Sequence, residues 1–120
     1  MDTPILDFLR QYSEHDWVRF HMPGHKGKGM LGCEKWDITE VYGGDALYEA
    51  DGIIAKSECN AAELFDTQRT CYSTEGSSQC IRAMLYLALN NRPKGNSNVI
   101  VAARNVHKTF VYAAALLDIE

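Results

Sequence analysis

Three short stretches hold the side chains best suited to chemistry. Residues 74–79, TEGSSQ, place one glycine and two serines just ahead of a helical pattern. Small residues there let backbone N–H groups converge, Ser77 and Ser78 add hydroxyl donors, and a helix N-terminus favours negative charge, so the stretch suits a phosphate. A plain serine N-cap accounts for the same letters. No Gly-Lys-[Ser/Thr] follows, so this is not a Walker loop, and no Gly-x-Gly-x-x-Gly marks a dinucleotide site. Residues 104–110, RNVHKTF, follow an apolar run; His107 there could stack on a flat ligand or move a proton, a solvent-exposed loop histidine being the plain alternative. Residues 21–29, HMPGHKGKG, carry His21 and His25 at a spacing that binds metal when helical, but Pro23-Gly24 forbids that helix, so no metal site is assigned. The turn instead presents His25 and Lys26 to a ligand or partner chain. Asp37 and Glu40 in DITE read as a solvated turn, and Asp45, between Gly44 and Ala46, as a local cap.

The elements that position these residues follow from periodicity. Thr3-Pro4 is a helix start, and Ile5, Phe8 and Leu9 fall on one face of a short helix to about Tyr12. Glycine-rich text from Phe20 to Gly32, and again through Gly43-Gly44, predicts loop. The spacing predicts helices over 52–66, 78–89 and 108–117, the second burying Ile81, Met84, Leu85, Ala88 and Leu89. Thr70 to Tyr72 and the apolar run Asn98 to Ala103 predict strands, with a loop over 90–97. Alternating helix and strand implies an α/β architecture with a mostly parallel sheet and flanking helices. Two strands cannot complete such a sheet, so the chain reads as the front end of a larger domain.

Bulk properties narrow the partners. The chain has 120 residues, 46% hydrophobic and 23% charged, within the ordinary globular range, and is long enough to bury a core. A net charge of −4 argues against a nucleic-acid binder and is compatible with a small cationic substrate. No apolar run approaches the ~20 residues that span a bilayer, so no membrane partner is expected. Cys33, Cys59, Cys71 and Cys80 form no Cys-x-x-Cys pair and, with no secretory leader, read as reduced thiols of a cytoplasmic protein.

Four stretches in order resemble the major domain of the Orn/Lys/Arg decarboxylases: FHMPGHKGKG (20–29), DITEVYGGDALYEADGIIAKSECNAAELF (37–65), TEGSSQCIRAM (74–84) and ARNVHKTF (103–110). The resemblance implies the N-terminal portion of an aspartate aminotransferase-like large domain of a PLP-dependent transferase, incomplete here. Residues 1–45 would be the N-terminal helix and active-site loop arm, and 46–120 the start of the cofactor-binding domain. It implies pyridoxal 5'-phosphate as cofactor, a basic amino acid (arginine, lysine or ornithine) as substrate, a role in polyamine biosynthesis, and a homodimer or larger assembly. Gly76, Ser77, Ser78 and Gln79 would form the cofactor's phosphate cup, and His107 would stack on its ring. His25 and Lys26 would match a turn near the active site, and Thr39, Glu40 and Asp45 positions near its entrance. Two departures stand out: Glu75 occupies a position where the family usually has asparagine, and Cys80 one where it often has glycine or alanine. The lysine that the family joins to the cofactor, and the aspartate that pairs with the ring nitrogen, both lie further along than these 120 residues. Lys108 imitates that lysine, but neighbours at a helix start point ~100° apart, so a stacked His107 turns it away. Another reaction on the same scaffold (aminotransferase or aldolase) and a catalytically inactive truncated remnant are the alternatives.

Overall fold

The computed structural model describes residues 2–93, 95 and 97–120. Lys94 and Asn96, within the loop expected over 90–97, lie outside the described residues. Four helices form: α1 (Pro4–Glu14), α2 (Ile53–Leu64), α3 (Gly76–Asn90) and α4 (Lys108–Leu116), with a single 3-10 turn at Glu34–Trp36. The chain divides into two compact units, Met1–Tyr72 and Ser73–Glu120.

In the first unit Pro4 opens α1 as expected, but Thr3 caps differently from the usual pattern. Its hydroxyl and its N–H both donate to the Asp7 carboxylate, each at 3.0 Å, so a first-turn acid reaches back to the helix start. α1 packs on α2. The Asn60 amide donates to the Asp2 carbonyl and carboxylate at 3.0 and 2.9 Å, and Lys56 pairs with the same carboxylate. Gly52 precedes α2, and the Tyr72 N–H donates to Glu58 Oε1 at 2.7 Å, tying the end of the unit to that helix.

In the second unit α3 packs on α4. Leu85 of α3, 4% exposed, and Ala113 of α4, fully buried, are its buried apolar residues, and Thr109 of α4 is also buried. Ile81 and Leu89 are half-buried as their spacing predicts, whereas Met84 and Ala88 face solvent.

The expected parallel sheet is not there: among the described residues no strand forms, and the secondary structure is entirely helical. The physical reason is the absence of partners. A strand exists through ladder hydrogen bonds to a neighbour, while a helix satisfies its own backbone. Residues 70–72 find no parallel neighbour, and the Tyr72 N–H goes to a side chain instead. Around 98–103 the backbone bonds are those of Ile100 N–H to the Glu120 carbonyl (3.0 Å), Glu120 N–H to the Asn98 carbonyl (3.1 Å) and, locally, Val106 N–H to the Ala103 carbonyl (3.3 Å), too few for a ladder.

The core is also thinner than the composition implies. Tyr42, Met30, Val101 and Phe20 are each at least nine-tenths exposed. No helix among the described residues is long and apolar enough to cross a membrane.

Candidate functional site

The start of α3 has the features of an anion cradle. Gly76 takes φ +63°, a left-handed conformation that side chains other than glycine's resist, and a Cβ built there would meet nothing within 4 Å. No side chain caps this helix, which leaves its first-turn N–H groups available. Ser77 is exposed and Ser78 half-buried. Beneath them Ser73 ties the turn together. Its hydroxyl is 2.6 Å from Gln79 Oε1 and 3.3 Å from the Gly76 carbonyl, and it accepts the Glu75 N–H at 3.3 Å. Gln79 thus spends its carbonyl on the turn and keeps its amide N–H groups as donors.

Glu75, the departure that threatened this cradle, folds back along α3 onto Arg82, two turns on. The pairing neutralises the carboxylate and directs it down the helix. The spacing of seven residues, two turns of helix, puts the two on one face of α3.

α4 begins differently. His107 is its N-cap, and its Nδ1 accepts the Thr109 N–H at 3.2 Å. Thr109 Oγ1 lies 3.0 Å from that Nδ1 and 3.1 Å from Ser78 Oγ. A continuous chain Ser78–Thr109–His107 therefore joins the two helix N-termini. It brings together Ser78 and His107, which are about thirty positions apart in sequence. Ser73, Arg82 and Thr109 were missed as contributors. The signal for Thr109 was its place two residues after a capping histidine, where an N-cap side chain receives its bond.

The other sequence-derived candidates belong to the first unit. His25 Nδ1 accepts the Gly27 N–H at 3.0 Å, so its ring proton sits on Nε2 and points to Asp37 Oδ2 at 3.1 Å. Lys26, at φ +55°, donates its ammonium to the His21 carbonyl at 2.5 Å. Thr39 donates its hydroxyl to Glu40 at 2.7 Å; that bond, aided by the Glu40 N–H, holds the carboxyl below its ordinary range. Thr39, Glu40 and Asp45 line a groove of about 600 Å³ with Ile5, Phe8 and Ile54 of α1 and α2; His25 and Lys26 do not. Among the described residues no group of three or more His, Cys, Asp or Glu could hold a metal ion.

Asp45 takes the structural option of the two its sequence left open. At φ +61° its carboxylate accepts N–H bonds from Ala46 (2.8 Å), Ile54 (2.8 Å), Gly52 (3.0 Å) and Asp51 (3.3 Å), closing the 45–52 loop onto the first turn of α2. Desolvation pushes its pKa up, but the four N–H donors together outweigh it and bring it below 3.8. A depressed folded-state pKa stabilises above the unfolded value and is lost as pH falls through the folded one. Acid titration of the circular-dichroism transition is therefore expected to show stability falling below a pH of about 4. Asp45→Asn is expected to be less stable at neutral pH and flatter in acid; an unchanged acid limb would remove Asp45 from this role.

The comparisons with known proteins bear on this arrangement as a whole. The family described as Orn/Lys/Arg decarboxylase, major domain, matches residues 3–120. The chain belongs to that family. Proteins named arginine decarboxylase are similar to it: that of Halalkalibacterium halodurans is 32% identical over 92% of this chain and 24% of its own length. Those of Bacillus subtilis (31%) and Bacillus cereus (30%) each match 93% of the chain and 24% and 25% of their own lengths. The chain thus spans about a quarter of the length of these relatives. No solved structure matches it. Both helix N-termini and the chain joining them lie inside the span matched to the family.

Proposed function

We propose that this chain supplies the phosphate cup and ring-stacking histidine of a pyridoxal-phosphate-dependent decarboxylase acting on a basic amino acid. Arginine is put first because the relatives are named for it. The observation that carries the reading is the Ser78–Thr109–His107 chain linking an uncapped, open helix N-terminus to an imidazole. The residues present fit the cofactor: hydroxyls and free N–H groups suit a phosphate, and the nearby carboxylate of Glu75 is neutralised by Arg82.

In this reading the first turn of α3 and the hydroxyls of Ser77 and Ser78 hold the phosphate by charge-assisted hydrogen bonds, while Gly76 lets the backbone approach closely. With Nδ1 occupied by the Thr109 N–H, neutral His107 keeps its proton on Nε2 and its ring fixed at the start of α4, ready to lie against a flat heterocycle. When bound, the cofactor would supply the sink for the electrons left behind by the departing carboxylate. The homodimer or larger assembly and the cytoplasmic setting that the resemblance and the cysteine pattern imply belong to the same reading.

Equilibrium dialysis against pyridoxal phosphate, with unphosphorylated pyridoxal as the control, tests the reading. Retention that depends on the phosphate and falls in His107→Ala is expected. Equal retention of the two compounds, or of neither, would sink it. Borohydride treatment of the mixture is expected to fix no cofactor on Lys108.

A further inference from the structure

Thr109 is the one buried polar side chain among the described residues, 7% exposed. Its hydroxyl is within hydrogen-bond reach of both Ser78 Oγ and His107 Nδ1. Its own N–H donates to the same Nδ1. An imidazole nitrogen offers one in-plane lone pair, so with the backbone N–H on it the Thr109 hydroxyl proton is best directed to Ser78 Oγ. Ser78 then has its own proton free to donate outward, toward the open side of the cup. A hydroxyl in water rotates freely; one buried to this degree takes its orientation from its neighbours and imposes one on them.

Resting on the phosphate-cup reading above, the geometry points to Thr109 as a positioning residue that sets the His107 ring and the Ser78 hydroxyl together. It does not touch the ligand. It makes the two ends of the site one rigid frame, so that the direction of the Ser78 donor and the plane of the imidazole are established before anything binds. Preorganisation of this kind removes ordering costs that would otherwise be met on binding.

Thr109→Val keeps the shape of the side chain and removes the hydroxyl; Thr109→Ser keeps the hydroxyl and removes the methyl. Two measurements distinguish positioning from plain packing: the ring-nitrogen NMR signals of His107 without cofactor, and affinity for pyridoxal phosphate by dialysis. Thr109→Val leaves the backbone N–H of that position on His107 Nδ1 but removes the oxygen 3.0 Å from that nitrogen and the donor to Ser78 Oγ. It is therefore expected to shift the His107 Nδ1 signal and to weaken binding about three- to tenfold, the range of one lost hydrogen bond. Thr109→Ser is expected to restore both. If Thr109→Val fails to fold by circular dichroism, Thr109→Ala takes its place against the same serine variant. The proposal is overturned if both measurements stay at the wild-type value, if one moves without the other, or if the serine variant falls as far as the valine. A wild-type protein that retains no pyridoxal phosphate sinks the cup reading instead. The ring signal then decides the hold of Thr109 on His107 by itself, a shift supporting it and an unmoved signal overturning it.

Discussion

Replacing Ser77 and Ser78 together by alanine is expected to weaken pyridoxal-phosphate binding about a hundredfold or more. A hydrogen bond to a charged partner contributes about 1.5–3 kcal/mol, so two lost donors to a phosphate remove at least about 3 kcal/mol, which is roughly that factor. Binding is not abolished, because the uncapped N–H groups of α3 and its dipole remain. The two serines are not equivalent. Ser77 is exposed and can only donate to a ligand, whereas Ser78 also holds the Thr109 hydroxyl at 3.1 Å. Ser77→Ala alone should therefore change affinity without disturbing His107, and Ser78→Ala should change both. Dialysis against pyridoxal phosphate and the His107 ring signals read these effects. Unchanged affinity in the double variant would dispose of the cup.

The second large effect is on stability. Leu85→Ala is expected to cost about 2–5 kcal/mol, as large-to-small changes in cores do. For most proteins that is a fraction of the total, but whole domains have only about 5–15 kcal/mol in hand. The second unit is far less provided for, since Leu85 and Ala113 are its buried apolar residues. Urea denaturation followed by circular dichroism should show this unit losing its transition, while α1 and α2 keep theirs. A midpoint that does not move would mean that the α3–α4 contact contributes little. The consequence reaches the candidate site, because the same α3–α4 contact carries the Ser78–Thr109 bond and so sets the spacing between Ser78 and the imidazole.

Much of the local structure was legible in the letters. Pro4 marks the start of α1, Gly52 that of α2, and Lys108 that of α4, each where composition and periodicity expect it. Helices are decided by bonds within a few residues and by side chains that recur on one face, so a single sequence carries most of what they need. The juxtaposition of small residues and hydroxyls with a helix start at Gly76 was legible for a related reason, since it too lies within a few consecutive residues.

Other features were not. The apolar run Asn98 to Ala103 has the composition of a buried strand, yet strand formation depends on a neighbour that its own letters do not describe. Asp45 looked as fit for an active-site entrance as for a cap. Its left-handed backbone and four N–H partners, spread over nine residues, make it a cap, while it also lines the groove with Thr39 and Glu40. Glu75 looked hostile to a phosphate until its pairing with Arg82 turned it along the helix.

By itself, then, the sequence determined where α1, α2 and α4 begin, because a helix start rests on near neighbours along the chain; α3 begins at Gly76, two residues before the expected start at Ser78. The tertiary structure alone decided that Ser78 and His107 meet through Thr109. The packing of α3 on α4 that brings them together buries Leu85 and Ala113, and burial is a relation between distant residues that no local spacing records.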